Sequence, residues 1–247
     1  MRLIGIDLAW QTETNPSALA IGHLVDGKLT LESIDSALYG AESIVNRIRT
    51  CDRVKGIAID APLIINNATG QRDGERQLGR DYASRKAACH PTNQTLYPDA
   101  SSVALAQQLE TQGYQHAQGK QWQIECYPHP AMIECFALSE RLLYKKGRVA
   151  EKKAGQIRLA QLITQLHSSP VMPLLIDSSL GIYLQPDYIN SLKGRAVKTN
   201  EDVLDAIICL YIAGLYQTGC SGTLYGDVEQ GYIWVPQTRC ISLGASP

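Results

Sequence analysis

The chain has 247 residues, of which 45% are hydrophobic and 19% charged, as is ordinary for a soluble globular protein. Its net charge of −1 excludes the global positive field of a general nucleic-acid coating protein, although a local basic channel is compatible with it. The predicted core is aliphatic, because there is a single Phe beside twelve Tyr and three Trp.

The first residues lead straight into a strand pattern, without the charged, apolar and cleavage regions of a signal peptide. The longest apolar run, Ala206 to Tyr216, is well short of the roughly 18 residues that suggest a membrane span. We therefore expect a cytoplasmic protein with no membrane partner. The seven cysteines contain no Cys-x-x-Cys pair, which favours buried free thiols over a disulfide framework or a zinc site.

Two similar segments, far apart in the chain, each end a predicted strand with an aspartate. The apolar run Leu3–Ile6 leads to Asp7 in a strand predicted over 3–9, and Val54–Ile59 leads to Asp60. Continuous aliphatic runs of this length suit strands buried on both faces. If the two strands are neighbours, their aspartates emerge side by side at the edge where open α/β sheets bind ligands.

The residues between these strands predict an antiparallel meander with strand one in the middle. Strands two and three are predicted over 17–25 and 28–34, joined by Asp26-Gly27, the favoured sequence of a type I′ hairpin turn. Residues 40–48 have helical spacing and can cross over to strand four with the usual right-handed connection.

From residue 62 to about 120 the periodicity is lost, and we interpret this segment as an insertion after strand four. Arg72, Arg76 and Arg80 would share one face if the segment were helical. One interpretation is a solvated helix face, because acidic residues balance the charge locally. The other is an anion-binding lid, in which Arg72 and Arg76 would bind a substrate phosphate, because long loops at a ligand edge are usually functional.

The second half of the chain predicts one more strand and several helices. Strand five is predicted over 122–127, followed by helices over 131–143 and 153–167. A basic cluster between these helices offers Lys152 and Lys153 as possible phosphate ligands, although surface solvation is the simpler role for each.

A buried helix over about 200–217 and a hairpin over about 223–236 end the predicted fold. Thr199 or Asn200 can cap this helix, and Glu201 and Asp202 then occupy its first turn, where negative charge is favoured. Neither a repeat nor a linker interrupts the chain, so we expect a single domain over 1–247.

Five carboxylates are candidates for chemistry. Asp202 and Asp205 are spaced i, i+3 on one helical face, and Asp205 lies in an apolar run where an ionised group needs a partner or a metal. Oxygen ligands without a Cys/His cluster favour Mg²⁺ or Mn²⁺. Two such ions about 3.5–4 Å apart can activate water and stabilise the leaving oxygen in phosphodiester hydrolysis. The candidates are Asp7, Asp60, Glu125, Asp202 and Asp205.

Each candidate also has a purely structural interpretation. Asp7 could accept backbone hydrogen bonds at a strand end, Asp202 could interact with the helix dipole, and Glu125 could be an outward-facing strand residue. One interpretation of Cys126 and His129 is thiol chemistry, but a buried thiol and a strand-end histidine are the simpler interpretation, because a reactive Cys needs an electropositive setting.

Several motifs together resemble the ribonuclease-H-like superfamily: Gly-Ile-Asp7, the Asp26-Gly27 hairpin, Ile-Asp60 and Asp202-x-x-Asp205. The Asp-x-x-Asp ending looks most like its Holliday-junction resolvase branch. More closely, five segments are similar to an uncharacterised bacterial family of predicted ribonuclease-H-like nucleases. These segments are Gly-Ile-Asp-Leu-Ala-Trp10, Ile-Asp60-Ala-Pro62, Glu125-Cys-Tyr-Pro-His129, Glu201-Asp-Val-Leu-Asp-Ala206 and Gly-Tyr-Ile-Trp-Val-Pro236.

The resemblance implies a ribonuclease-H-like α/β fold, in which a mixed sheet of meander and parallel strands is flanked by helices and carries insertions. It also implies metal ligands at Asp7, Asp60 and Asp205, with Asp202 close by. The ribonuclease H pattern proper has a Glu on the first helix, where this chain offers only Glu42, at the start of that helix.

Our first hypothesis is therefore a Mg²⁺- or Mn²⁺-dependent nuclease whose partner is DNA or RNA, with Asp202 or Glu125 tuning the metal site. The alternatives are an ATP-dependent phosphotransferase of the related actin-like fold and a non-catalytic binding protein. The phosphotransferase normally needs duplicated halves with Gly-rich phosphate loops, and the sequence offers no convincing one. At this point DNA, RNA, a junction and a small phosphate compound all remain open as substrates.

Overall fold

A seven-stranded mixed sheet forms the centre of the computed structural model, which describes residues 1–11 and 14–241. A separate two-stranded sheet is formed by the last two strands. In chain order the strands are β1 (Arg2–Asp7), β2 (Pro16–Val25), β3 (Lys28–Tyr39), β4 (Val54–Asp60), β5 (Tyr114–His116), β6 (Gln121–Glu125), β7 (Leu174–Leu175), β8 (Gly222–Asp227) and β9 (Gly231–Pro236).

The order of the central sheet is β5-β6-β4-β1-β2-β3-β7. β1 is antiparallel to β2 and parallel to β4, so the predicted meander with its first strand central is confirmed. The hairpin turn is confirmed as well: Asp26 and Gly27 have φ angles of 49° and 72°, and a type I′ turn requires positive φ at both positions.

Seven α-helices in the described part of the chain surround the sheet, and the architecture is consistent with the expected ribonuclease-H-like α/β fold. The helices are α1 (Gly40–Arg49), α2 (Asp73–Tyr82), α3 (Ser101–Thr111), α4 (Pro128–Cys135), α5 (Val149–Gln165), α6 (Pro186–Ser191) and α7 (Arg195–Gln217). None of them is long and apolar enough to cross a membrane.

The two faces of the sheet have separate apolar cores, which follow from the alternation of side chains along each strand. Ile4 and Ile6 of β1 pack with α1 and α3, whereas Leu3 packs with α7. Gly5, on the same face as Leu3, lies directly against the α7 backbone, because a Cβ there would stand 1.9 Å from the backbone nitrogen of Leu210. This close approach, which only glycine allows, places α7 over the carboxyl end of β1.

Three sequence predictions about helices are corrected. The helix expected over 131–143 is α4, which ends at Cys135 because Ala137 adopts a left-handed conformation (φ 52°) that terminates a helix. The last helix starts at Arg195, so the expected caps Thr199 and Asn200 lie inside it. The segment over 62–120, expected to be irregular, contains α2, α3 and β5.

The terminal hairpin β8–β9 is confirmed and packs on α2 and α4. Apolar side chains of all these elements form a third cluster that includes Leu78, Ile133, Tyr225 and Ile233. Helix α2 is thereby packed against the body of the fold, close to the ends of β4 and β6.

Candidate active site

Asp7 and Asp60 stand side by side at the edge of the sheet, as the sequence predicted. They end β1 and β4 and are direct partners in the parallel register of these strands, whose neighbours lie about 4.8 Å apart. Because side chains alternate, both carboxylates belong to the sheet face that α7 covers. Neither carboxylate has a hydrogen bond or an ion pair with any residue in the described ranges 1–11 and 14–241.

α7 contributes two more carboxylates, and each of them is paired with a lysine. Asp205 is fully buried. It accepts a hydrogen bond from Tyr144 Oη (2.6 Å) and forms an ion pair with Lys145 Nζ (2.8 Å). Asp202 is paired with Lys198 Nζ at 2.6 Å, one turn earlier on the helix. We call Asp7, Asp60, Asp202 and Asp205 the carboxylate cluster.

Burial and repulsion between carboxylates oppose the ionisation of Asp7 and Asp60. Burial, followed by repulsion from Asp205, raises the pKa of Asp7 well above its ordinary value. Burial likewise raises the pKa of Asp60 to about 7, with Lys145 opposing the shift and Asp205 adding to it. When fully ionised, the four aspartates outnumber the two lysines, and Lys198 is also shared with the buried Glu201 at 2.7 Å, so the cluster carries a negative excess that an added cation would reduce.

The carboxylates of Asp7 and Asp60 fit a hard divalent cation, because both are unpartnered, partly buried oxygen donors. Asp202 and Asp205 differ, since lysines already neutralise them. Within residues 1–11 and 14–241, no group of three or more His, Cys, Asp and Glu side chains is arranged to hold a metal ion. Of the four carboxylates, Asp7 and Asp60 are thus the two that no protein donor engages within these residues.

Two clefts meet at this edge of the sheet and share Trp10 and Gln11 in their walls. The first has a volume of about 550 Å³ and is lined by Asp7, Asp202 and two cationic residues, Arg195 and Lys198. The second has a volume of about 280 Å³ and contains Asp60 together with aromatic side chains. Asp7 and Asp60 thus lie where a cleft of mixed charge and a cleft with aromatic side chains join.

Glu125, predicted as a fifth site carboxylate or an outward-facing residue, is not outward-facing: it is buried and lines the second cleft together with Asp60. It is 3% exposed, and it pairs in register with Ile59 rather than with Asp60, which assigns it to the other face of the sheet. Its two oxygens accept hydrogen bonds from Arg72 Nη1 (2.8 Å) and Nη2 (2.6 Å), and one of them also accepts from Leu63 N (2.9 Å). Glu125 is therefore saturated by protein donors.

Arg72 is not free to bind phosphate either. Besides Glu125, its guanidinium donates to Glu75 Oε1 at 2.9 Å and to the carbonyl oxygen of Ile64 at 3.1 Å, and the residue is 4% exposed. Glu75 also accepts a hydrogen bond from the backbone of Thr92. We call Arg72, Glu75 and Glu125 the arginine network; it connects α2 to the end of β6.

The other predicted phosphate ligands lie outside both clefts. Arg76 is exposed and paired with Asp73, and Lys153 Nζ donates to the carbonyl oxygen of Asn190 at 2.6 Å. Lys152 lines neither cleft. The cations at the site are instead Lys145, Lys198 and Arg195. The sequence did not reveal Lys145 and Arg195, because the partner of the first and the cleft of the second form only on folding. Lys198 stands four residues before Asp202, and this signal was missed because the helix was expected to start at about residue 200.

Two further sequence candidates are placed away from the chemistry. Glu42 is exposed in the first turn of α1 and lines neither cleft. Cys126 is buried as a free thiol 3.6 Å from Cys209 Sγ, and burial raises its pKa, so the thiolate that thiol chemistry needs is disfavoured.

Comparison with known proteins gives one match. Residues 5–230, which include every member of the carboxylate cluster, match the family described as "Protein of unknown function (DUF429)". No curated protein and no solved structure matches the chain.

Proposed function

Because the chain belongs to this DUF429 family, whose description specifies no activity, we propose from the site alone that it is a divalent-metal-dependent phosphodiesterase acting on nucleic acid. The observation that carries the proposal is the Asp7/Asp60 pair: two adjacent, unpartnered carboxylates at the ligand-binding edge of an α/β sheet. Unpaired buried charge is costly, and such groups concentrate at functional sites.

Asp7 and Asp60 would hold Mg²⁺ or Mn²⁺, and an ion bound there supplies an activated water and stabilises the leaving oxygen of a phosphodiester. Lys198 and Arg195, in the wall of the same cleft as Asp7, would bind the phosphate on either side of the scissile bond. Asp205 is held in place by Tyr144 and Lys145 and would contribute negative charge next to the ion.

The lysines also suggest an order of occupancy. A first cation can enter between Asp7 and Asp60 without breaking any hydrogen bond or ion pair of the residues that the structure describes. A second one would have to compete with Lys145 for Asp205 or with Lys198 for Asp202. We therefore expect one tight divalent site in the free protein, and a second only when bound substrate draws a lysine away.

The test is cleavage of labelled single strands, duplexes, RNA–DNA hybrids and four-way junctions with Mg²⁺, Mn²⁺ or EDTA. We expect metal-dependent cutting by the wild type and none by Asp7→Asn or Asp60→Asn. Asp187→Asn, an exposed aspartate in the first turn of α6, is the matched control and should cut normally. Calorimetry with Mn²⁺ should show a binding site that both cluster variants lose.

Either of two results would contradict the proposal: cleavage that persists in EDTA, or a folded, metal-loaded wild type that cuts nothing in the panel. In the second case, stabilisation by ATP in a thermal melt would favour the phosphotransferase alternative.

A further inference from the structure

The second cleft has the side chains of a base-stacking site. Trp10 and Tyr97 form one wall, with ring centroids 4.6 Å apart, and Tyr127 also lines the cleft, together with Asp60. All three aromatic residues are partly exposed, whereas the remaining two tryptophans, Trp122 and Trp234, are 4% and 5% exposed. The three rings therefore keep accessible surface in the cleft, while Trp10 and Tyr127 also pack against the core clusters that hold them in place.

The aromatic wall is held in place by polar contacts. Ser101 Oγ donates to the carbonyl oxygen of Trp10 at 2.9 Å, and Gln11 Nε2 donates to Tyr97 Oη at 3.5 Å. These contacts tie the loop after β1 to the start of α3 and to the loop that precedes α3. A preorganised aromatic surface loses little conformational entropy when a planar ligand stacks on it.

The charge distribution selects among nucleic acids. The net charge is −1, and the cations at the site are confined to a few residues around the carboxylate cluster, chiefly Lys145, Arg195 and Lys198. Long duplexes are gripped through many phosphate contacts along a basic face. Single strands combine a few phosphate contacts with bases stacked on aromatic side chains.

We propose that the cleft formed by Trp10, Tyr97 and Tyr127 binds an unpaired base of a single-stranded nucleic acid whose phosphate lies at the adjoining Arg195/Lys198 cleft. This inference rests on the proposed function, since it names the substrate class of the same site. Trp10 and Gln11 form the wall that the two clefts share. This wall sets the position of the bound strand, with the base on one side of it and the phosphate on the other.

Binding can be measured without cleavage, so that this inference and the proposed activity can fail separately. We would titrate the wild type in EDTA with a ten-nucleotide single strand, as DNA and as RNA, with an abasic strand of equal length, and with a blunt duplex. The abasic strand keeps the phosphates and removes the bases. Intrinsic fluorescence gives a second readout, because Trp10 is the accessible tryptophan of the three.

The expected result is that the single strand binds about five- to a hundredfold more tightly than the abasic strand, and quenches fluorescence. Trp10→Leu and Tyr97→Leu should each remove most of this preference while leaving abasic binding unchanged. Tyr183→Leu is the matched control, because Tyr183 also belongs to a partly exposed aromatic pair but lies outside both clefts. Tyr97 is in a loop, so its variant should fold even if Trp10→Leu does not.

Equal binding of normal and abasic strands would overturn the inference, as would a preference for duplex or loss of binding in the Tyr183→Leu control alone. A wild type that binds none of the strands would overturn it as well. If normal and abasic strands bind equally but the wild type cleaves the substrate panel in a metal-dependent way, the proposed function stands and only the stacking site is lost. If the single strand stacks but nothing is cleaved, the binding site stands and the nuclease is contradicted.

Discussion

Two clusters of buried charge lie near the carboxyl ends of β4 and β6, and they differ in how their charges are satisfied. In the arginine network, Arg72 donates to two glutamates and a carbonyl group, and Glu125 accepts from a guanidinium and a backbone amide. In the carboxylate cluster, Asp202 and Asp205 have lysine partners, but Asp7 and Asp60 have no hydrogen bond or ion pair within the described residues.

The difference separates a structural role from a functional one. A buried ion network that is saturated by protein donors fixes the geometry of the elements it joins, here α2 and β6. A partly buried carboxylate without a partner destabilises the folded chain on its own, so its presence points to a ligand that supplies the missing positive charge. The four predictions below test this division, in order of decreasing effect.

The largest effect is expected from breaking the arginine network. Arg72→Met leaves Glu75 and Glu125 buried without their cation, which should lower the free energy of unfolding by about 3–5 kcal/mol. For a chain of this size the melting temperature should fall by about 10 °C. Arg76→Met, on the same helix but in an exposed pair with Asp73, should change it by less than about 1 kcal/mol. Equal effects of the two substitutions would contradict the structural role of Arg72.

The opposite sign is expected in the carboxylate cluster. Because the pKa of Asp60 is raised to about 7, folding is opposed increasingly as the pH rises from about 4, where the unfolded carboxyl ionises, to about 7. In EDTA, Asp60→Asn should therefore raise the free energy of unfolding by about 1–2 kcal/mol at pH 8 and have little effect near pH 4. Urea unfolding at both pH values measures this, with the exposed Asp73→Asn as control. A destabilised Asp60→Asn at pH 8 would show that Asp60 is structural.

The sequence was sufficient for the part of this comparison that depends on local pattern. Two aliphatic runs ending in aspartate predicted the adjacent strands, and the Asp26-Gly27 turn fixed the meander that makes β1 central. The placement of Asp202 and Asp205 on one helical face requires only that the segment is helical. This prediction therefore holds although α7 starts earlier than expected.

What could not be predicted is pairing over long separations. Arg72 and Glu125 are 53 residues apart, and Tyr144 and Asp205 are 61 apart. A sequence shows that Arg72 and Lys145 are cationic, but only the folded chain decides that the first is saturated by glutamates and the second faces the carboxylate cluster. The same limit explains why Glu125 was grouped with the aspartates: its side of the strand depends on a register with β4.

A moderate effect is expected when the cluster loses one of its own cations. Lys145→Met removes both a competitor for Asp205 and a positive charge that repels an incoming ion, so the Mn²⁺ affinity should rise by about tenfold, or roughly 1.4 kcal/mol. Calorimetry measures this, and the exposed neighbour Lys146→Met is the control. Unchanged or weaker Mn²⁺ binding would mean that Lys145 neither competes with the ion for Asp205 nor repels it.

The smallest effect should come from Tyr144→Phe, which deletes the hydrogen bond to Asp205 while keeping the buried ring. The buried carboxylate retains Lys145, so the free energy of unfolding should fall by only about 1 kcal/mol. If the carboxylate cluster binds a cation, Mn²⁺ should restore most of that loss in a thermal melt. The ion would place positive charge next to the Asp205 carboxylate and so compensate for the hydroxyl donor that the substitution removes. A loss of the same size with and without Mn²⁺ would place Asp205 with the saturated, structural charges, alongside the arginine network.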